Sequence, residues 1–233
     1  MSKGKVYLIP SVLQEDALET IPTYIIDSIK DCSVFFVETE KNTRRFFKKI
    51  WKEMVIDDYQ WFAIHKAEES VKSAFLAALN QGKNIGIVSD AGCPGIADPG
   101  QLLIELAQEN QIIIQPLVGP SSILLALMAS GMNGQNFHFH GYLPIDGLER
   151  KKKLKELEAD SLIKKTTHIF IETPYRNNQL LHDIIQACKP MTKICIGVDI
   201  TGPSEKIQTK AAGEWNKQLP ELHKIPAIFL IQA

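Results

Sequence analysis

The sequence has few cysteines, no long apolar run and no surplus of charge of either sign. Its four cysteines, Cys32, Cys93, Cys188 and Cys195, form no CxxC pair and have no metal-like spacing. They therefore predict reduced thiols in a cytoplasmic protein without a metal centre. No stretch approaches the ~18 consecutive apolar residues of a membrane span. A net charge of -1 excludes a global positive field that would hold the protein on nucleic acid or an anionic membrane.

Several common catalytic motifs are also missing. No glycine-rich segment is followed by GK[ST], and no GxGxxG follows a predicted strand, which disfavours nucleotide triphosphate chemistry and dinucleotide binding. There is no GxSxG elbow and no HExxH. His138 and His140 share one face of a predicted strand, but the sequence places no carboxylate or third ligand beside them, so a metal role is not expected.

The pattern of apolar residues indicates an α/β protein. The chain has 233 residues, 45% of them apolar and 23% charged, which is ordinary globular composition. Short β-rich runs alternate with longer helical patterns, and strands become denser after Gly119. We therefore predict two α/β domains, residues 1–116 and residues 117–233, the second with a mixed sheet.

The predicted elements of the first domain are strands at VYLI, VFFVE, WFAIH, NIGIVSD and IIIQPLV, and helices over 16–30, 43–54, 69–79 and 100–109. Those of the second domain are helices over 121–130 and 148–158, and strands over 137–140, 168–172, 194–198, 206–209 and 225–231.

The loop VSDAGCPGIADPG, residues 88–100, is the most unusual segment. A buried-looking strand runs directly into three glycines, two prolines and two aspartates. Asp90 follows the carboxyl end of that strand, where open α/β sheets bind ligands, and it could accept hydrogen bonds from a ribose. The plain alternative is a structural turn in which Asp98 caps the next helix and Pro99 is its first residue.

A second candidate is VGPSSILLAL, where Gly119-Pro120 bends the chain and Ser121 or Ser122 opens an apolar helix. The free amide groups at such a helix start could bind a carboxylate or phosphate. Ordinary capping by one serine explains the pattern equally well.

Two basic clusters stand out against the neutral total. Residues 41–52 place Arg44, Arg45, Lys48, Lys49 and Lys52 on one face of a predicted helix. Residues 148–158 carry Arg150, Lys151, Lys152, Lys153 and Lys155. A solvated helical face is the default interpretation of each cluster, and a track for an RNA backbone is the alternative.

Taken together, VYLIP, VSDAGCPGIADPG, GPSSILLALMASG, FHFHGYLP and IFIETPYR resemble the tetrapyrrole methylase family of S-adenosylmethionine-dependent methyltransferases. The resemblance covers nearly the whole chain and is greatest to the branch that methylates a ribose 2′-hydroxyl of 16S ribosomal RNA. It implies two α/β domains with S-adenosylmethionine in the cleft between them. It also implies a homodimer and ribosomal RNA, or the small ribosomal subunit, as the partner of the basic helices.

The resemblance also assigns site residues. The implied cofactor contacts are Ser89, Asp90, Ala91, Cys93, Ser121, Ser122, Glu172, Pro226 and Ala227. Methyl transfer needs little acid–base machinery, but a positioned base would help a weakly acidic hydroxyl to react. Glu38, at a strand end, is the first candidate base and Asp98 the second; the alternative for Glu38 is pairing with Lys41 or Arg44.

The chain departs from the family at the loop that usually faces the substrate. Relatives carry PTPIGNL or GxGPGD after the first strand, whereas this chain has PSVLQED, which loses the glycines and gains Glu15 and Asp16. Two acidic residues make close approach to an RNA phosphate less favourable. Two other functions therefore stay open: methylation of a tetrapyrrole or other small metabolite, and non-catalytic binding of S-adenosylmethionine.

Overall fold

The computed structural model describes residues 3–64 and 68–233. The chain forms two compact units, one ending at Ser121 and the other beginning at Ser122. The division therefore lies slightly later than the 116/117 boundary expected from the sequence. Each unit contains a five-stranded sheet flanked by helices, so the predicted α/β class is confirmed.

The first unit has an all-parallel sheet. Its strands are β1 Val6–Ile9, β2 Val34–Val37, β3 Gln60–Ala63, β4 Ile85–Val88 and β5 Ile114–Pro116, in the order β3-β2-β4-β1-β5. Every residue of β2 and β4 is buried. Parallel strands covered on both faces are expected to be continuously apolar, which is why these segments are visible in the sequence.

Four helices cover the two faces of this sheet. They are α1 Ile25–Lys30, α2 Glu40–Ile50, α3 Lys72–Asn80 and α4 Gln101–Glu109. Short 3₁₀ turns lie at Leu18–Thr20, Ile56–Asp58 and Glu69–Val71. Apolar residues of α1 and α2 form one core cluster and those of α3 and α4 form another, so the two pairs of helices pack on opposite faces.

The second unit has a mixed sheet. Its helices are α5 Ser122–Ser130, α6 Gly147–Lys164, α7 Asn177–Ala187 and α8 Ala212–Trp215, and its strands are β6 Phe137–Tyr142, β7 Thr167–Ile171, β8 Lys193–Val198, β9 Lys206–Ala211 and β10 Ala227–Gln232. The order is β6-β7-β10-β8-β9. Strands β6 and β7 are parallel, and the other neighbours are antiparallel.

Some predicted helix bounds are wrong. The helix predicted over 16–30 is a 3₁₀ turn followed by α1, because Pro22 cannot donate a backbone hydrogen bond within a helix. Helix α2 begins at Glu40 and ends at Ile50, so Lys52 lies beyond it. Helix α6 continues past residue 158 to Lys164, where Lys165 adopts a left-handed conformation. Helix α7 has no counterpart among the predicted elements.

Arg150 joins α6 to α7 and is not part of a solvated basic face. Arg150 is only 5% exposed, and its guanidinium donates to Asp183 Oδ2 from Nε at 2.8 Å and from Nη2 at 2.5 Å. Arg150 Nη1 also donates to the carbonyls of Pro144 and Ile145. Its inclusion in the predicted RNA-facing cluster is therefore wrong, since the partner carboxylate comes from another helix.

The histidines at β6 acquire neighbours that the sequence did not indicate. The His138 and His140 rings stack with centroids 4.2 Å apart, His140 Nε2 lies 2.9 Å from His168 Nδ1, and His168 lies 3.3 Å from Asp160. Burial, followed by the charges of His138 and His168, lowers the pKa of His140 to about 4. Among residues 3–64 and 68–233, no group of three or more potential ligands is arranged to hold a metal ion.

Within the described part of the chain, no helix combines the length and apolar character needed to cross a membrane.

Candidate cofactor and active site

The candidate site of the first unit lies where adjacent strands β1 and β4 end. The chain leaving β1 leads to α1 on one face of the sheet, and the chain leaving β4 leads to α4 on the other. Connections that leave neighbouring parallel strands toward opposite faces open a crevice at the carboxyl edge, where α/β proteins bind ligands.

Backbone hydrogen bonds fix the two loops against each other. Ser11 N donates to Gly92 O at 2.8 Å, and Gly92 N donates to Ser11 O at 3.1 Å. The buried Ser11 hydroxyl donates to Ser89 O at 2.7 Å. The segment after β1 and the segment after β4 therefore form one wall of the crevice.

The turn at Gly119-Pro120 joins the same wall. A Cβ on Gly119 would lie 2.1 Å from Pro10 Cβ, so only glycine permits this approach. The Cys93 thiol lies 3.6 Å from the Pro120 carbonyl oxygen. The turn 119–120, which directly precedes the predicted contact Ser121, thus meets the predicted segment 89–93 at one edge of the first unit, which sequence reasoning alone did not show.

Asp90 and Glu38 fix each other and the start of α2. Asp90 N donates to Glu38 Oε2 at 2.9 Å. The Asp90 carboxylate accepts from Thr39 N at 3.2 Å and from Asn42 Nδ2 at 2.8 Å. Arg44, one proposed partner of Glu38, forms an ion pair with Glu40. Asn42 was not identified from the sequence, because its proximity to Asp90 depends on how β2 and β4 pair.

Asp98 does not cap α4, so that interpretation is wrong. The residue before the helix is Gly100, which has φ +116°, and no side chain caps the helix start. Burial, followed by the charges of Glu38 and Asp90, raises the pKa of Asp98 to about 7. The structure therefore brings the two candidate bases Glu38 and Asp98 into one acidic group with Asp90.

An open cavity of about 210 Å³ adjoins Asp90. Asn42 and Phe46 of α2 line one side, and the loop residues Val12, Leu13 and Glu15 line another. This volume is below the ~300–1,000 Å³ of a complete small-molecule site, so the cavity has room for part of a ligand. The carboxylate, backbone groups and apolar walls fit a cofactor that combines charged, hydroxylated and apolar parts.

In the second unit, the predicted residues Glu172 and Ala227 lie at the ends of neighbouring strands. The pairing of Ile171 with Ile228 makes Glu172 and Ala227 the next pair in register. The Glu172 carboxylate accepts from Thr173 N at 2.6 Å and from Arg176 Nη2 at 2.6 Å.

Asn177, which sequence reasoning missed, holds the segment before Pro226 in place. Its Nδ2 donates to Ile225 O at 2.7 Å, while its buried Oδ1 has no hydrogen-bond partner among the described residues. Ser122, another predicted contact, is the first residue of α5, and Ser121 ends the first unit.

Sequence comparison identifies relatives along almost the whole chain. The chain is 28% identical over 235 residues to the ribosomal RNA small subunit methyltransferase I of Escherichia coli O157:H7. The alignment covers 99% of this chain and 78% of that protein. It is 33% identical over 180 residues to the protein of the same name from Bacillus subtilis strain 168, covering 76% of this chain and 58% of the relative. No protein-family model matches the chain.

Solved structures with the same fold include proteins named as methyltransferases. The methyltransferase CobJ aligns with a TM-score of 0.65 and 15% identity over 98% of this chain and 94% of CobJ. Uroporphyrin-III C-methyl transferase from Thermus thermophilus, complexed with S-adenosyl homocysteine, aligns with a TM-score of 0.57 and 13% identity over 98% of this chain and 97% of that protein. These comparisons confirm the resemblance to the tetrapyrrole methylase family that the sequence motifs indicate.

Proposed function

We propose that this chain, a tetrapyrrole methylase by fold and a relative of the ribosomal RNA small subunit methyltransferases I by sequence, uses S-adenosylmethionine to methylate a ribose 2′-hydroxyl of 16S ribosomal RNA. The observation that carries the proposal is the sequence similarity across 99% of the chain. The convergence of loops 10–12, 89–93 and 119–121 at one sheet edge supports it. Transfer of a labelled methyl group to small ribosomal subunits tests it.

The cofactor contacts implied by the resemblance fall into two sets. Ser89, Asp90, Ala91, Cys93 and Ser121 belong to the first unit. Ser122, Glu172, Pro226 and Ala227 belong to the second. For the first set we propose contacts with the methionine and ribose parts of the cofactor.

Replacing Asp90 by asparagine is expected to weaken S-adenosylmethionine binding about tenfold or more, because hydrogen bonds to a charged group contribute ~1.5–3 kcal/mol. Calorimetric titration measures the change, with ATP and NAD as control ligands. Asp27→Asn is the matched control, since it removes the same charge from an exposed position of α1 that does not line the cavity. Unchanged affinity in Asp90→Asn would place the cofactor elsewhere.

When bound, S-adenosylmethionine supplies an electrophilic methyl group on its sulfonium, and transfer to a hydroxyl is an in-line displacement. The protein's main task is to hold the acceptor oxygen in line with the methyl carbon. We assign proton removal from the acceptor hydroxyl to Asp98, because a carboxyl with a pKa of about 7 is half ionised near neutral pH. Glu38 positions Asp90 and adds to the negative charge that tunes Asp98.

The RNA surface of the second unit is α6. Lys152 and Lys155 are exposed on this helix, in contrast to the buried Arg150. Cations placed on an RNA backbone release counterions, so affinity falls with salt in proportion to the number of phosphates contacted.

The double variant Lys152→Gln/Lys155→Gln is therefore expected to bind a single-stranded RNA oligonucleotide more weakly and with a shallower salt dependence. The slope of log K against log[salt] should fall by about 1–1.5, as ~0.7 per lost contact predicts. Fluorescence anisotropy measures this slope. Lys193→Gln/Lys217→Gln removes the same charge from other exposed positions, and an equal loss in that control would contradict a specific role of α6.

We also propose that the protein acts in the cytoplasm as a homodimer. Leu124 and Met128 of α5 are 51% and 78% exposed, which supports a partner surface on that helix. A monomeric mass by sedimentation at micromolar concentration would contradict the dimer.

A further inference from the structure

The acidic residues of the unusual loop contact the basic face of α2. Lys49 Nζ lies 3.0 Å from Glu15 Oε1 and 3.1 Å from Asp16 Oδ1. Arg45 Nη1 lies 3.5 Å from Glu15 Oε1. The hydrogen bond to Glu15, and then that to Asp16, raises the pKa of Lys49. Two cations of the predicted RNA track are therefore already paired.

The remaining arginine and lysine at the centre of α2 also have intramolecular partners. Arg44 forms an ion pair with Glu40 and lies over the Trp61 ring, 5.1 Å from its centroid. Lys48 donates to the carbonyls of Lys52 and Met54. The pairs with Glu15 and Asp16 differ from these because their acids come from the loop that replaces the family's glycine-rich segment.

These pairs border the candidate site. Glu15, Arg45 and Lys49 line the same cavity as Asp90. An arginine and a lysine beside the cavity would attract a phosphate of an approaching RNA strand. The adjacent carboxylates of Glu15 and Asp16 cancel that attraction and repel a third anion.

The ion pairs of Glu15 and Asp16 with Lys49 are also weak. The side chains of Glu15 and Asp16 are 58% and 98% exposed, so solvent and salt screen their interaction with Lys49. Their effect on folding is consequently small. Their effect on an incoming polyanion is larger, because neutralising the two carboxylates would leave two unpaired cations at the cavity.

We propose that Glu15 and Asp16 are specificity determinants of the acceptor site: by occupying Arg45 and Lys49, they prevent phosphate binding beside Asp90. This inference rests on the proposed RNA methyltransferase function. An acceptor nucleoside then approaches the cofactor site without its flanking phosphates docking on α2, and RNA that lacks other contacts with the protein is not retained there. Backbone binding is left to cations elsewhere, with Lys152 and Lys155 of α6 as the assigned pair.

The test is the salt dependence of binding to a 20-nucleotide single-stranded RNA by the full chain and by Glu15→Gln/Asp16→Asn. Freeing two cations should steepen the slope of log K against log[salt] by about 1–1.5 and raise the affinity several-fold at low salt. The control Glu53→Gln/Asp57→Asn removes the same charge from exposed positions near the end of α2 that do not line the cavity. Circular dichroism of both variants verifies folding.

A steeper slope in Glu15→Gln/Asp16→Asn than in the control supports the inference. Equal slopes in the two variants, or no change in either, overturn it, since a general effect of net charge would then account for the result. Methyl transfer to small ribosomal subunits by the unaltered chain is measured in parallel. A steeper slope without any methyl transfer would refute the proposed function but keep the electrostatic role of Glu15 and Asp16. Methyl transfer with unchanged slopes would support the proposed function and refute that electrostatic role.

Discussion

Replacing Asp183 by alanine is expected to lower the free energy of unfolding by about 3 kcal/mol, corresponding to a fall of about 6–12 °C in the unfolding midpoint. Asp183 is 1% exposed and is the carboxylate partner of the buried Arg150. The substitution leaves a guanidinium in a site of low dielectric with only the carbonyls of Pro144 and Ile145 to receive its hydrogen bonds. Urea unfolding followed by circular dichroism measures the loss.

Two controls separate this effect from the general cost of losing an ion pair. Glu69→Ala removes the exposed partner of Lys72 and should change stability by less than about 1 kcal/mol. The double substitution Arg150→Met/Asp183→Leu removes both charges and should be less destabilising than Asp183→Ala alone. If the double variant were the less stable of the two, an unpaired buried charge would not be the cause.

Replacing Asp98 by asparagine is expected to have opposite effects on activity and stability. As the proposed base, Asp98 is expected to contribute ~10²-fold or more to methyl transfer, so kcat/KM should fall by about that factor. In the unaltered protein, kcat/KM should rise with pH through about 7 as the carboxyl ionises, and the asparagine variant should lack this limb. Steady-state transfer to small ribosomal subunits between pH 5.5 and about 8.5 checks both statements.

The stability effect follows from the sign of the pKa change. A carboxyl whose pKa is raised on folding stabilises the native state fully below its unfolded value of 3.8, and this contribution is lost as the pH rises through about 7. Asparagine cannot ionise, so the variant should gain stability relative to the unaltered protein between pH 4 and pH 8. The shift sets an upper limit of about 4 kcal/mol. Partial solvent exposure reduces the expected gain to about 1–2 kcal/mol.

Glu38→Gln is the matched control for Asp98→Asn. It removes a neighbouring negative charge that raises the pKa of Asp98, so the activity limb should move to lower pH and not disappear. Loss of the limb in Glu38→Gln and its retention in Asp98→Asn would reverse the assignment and make Glu38 the base.

The sequence indicated the sheet of the first unit well, because strands such as β2 and β4 are buried along their entire length and appear as uninterrupted apolar runs. The neighbouring sequence was less informative where a contact with a distant residue determines whether a side chain is buried. Pro22 interrupts a predicted helix, and this interruption could have been read from the sequence because proline lacks a backbone N–H. The burial of Arg150, by contrast, depends on Asp183, 33 residues away. No local pattern distinguishes such an arginine from a solvated one.

In the candidate site, too, some features could be read from nearby sequence and others depended on contacts between distant residues. The glycine- and aspartate-rich loop after β4 indicated the edge of the candidate site, since its composition is unusual over a short segment. The capping role of Asp98 was wrong because the left-handed backbone of Gly100 redirects the chain before α4 begins. The pairing of Glu15 and Asp16 with α2 required the fold, as did the contact of Asn42 with Asp90. The individual cofactor contacts stay predictions.

The most direct measurement is transfer of a labelled methyl group from S-adenosylmethionine to small ribosomal subunits isolated from cells that lack this protein. A 2′-O-methyl group blocks alkaline cleavage of the adjacent phosphodiester, so the product should be a labelled dinucleotide that survives alkali. Subunits from cells that contain the protein, already methylated, should accept little label. Absence of transfer by folded protein that binds S-adenosylmethionine would contradict the account, and transfer to a tetrapyrrole precursor instead would assign the chain to small-molecule methylation.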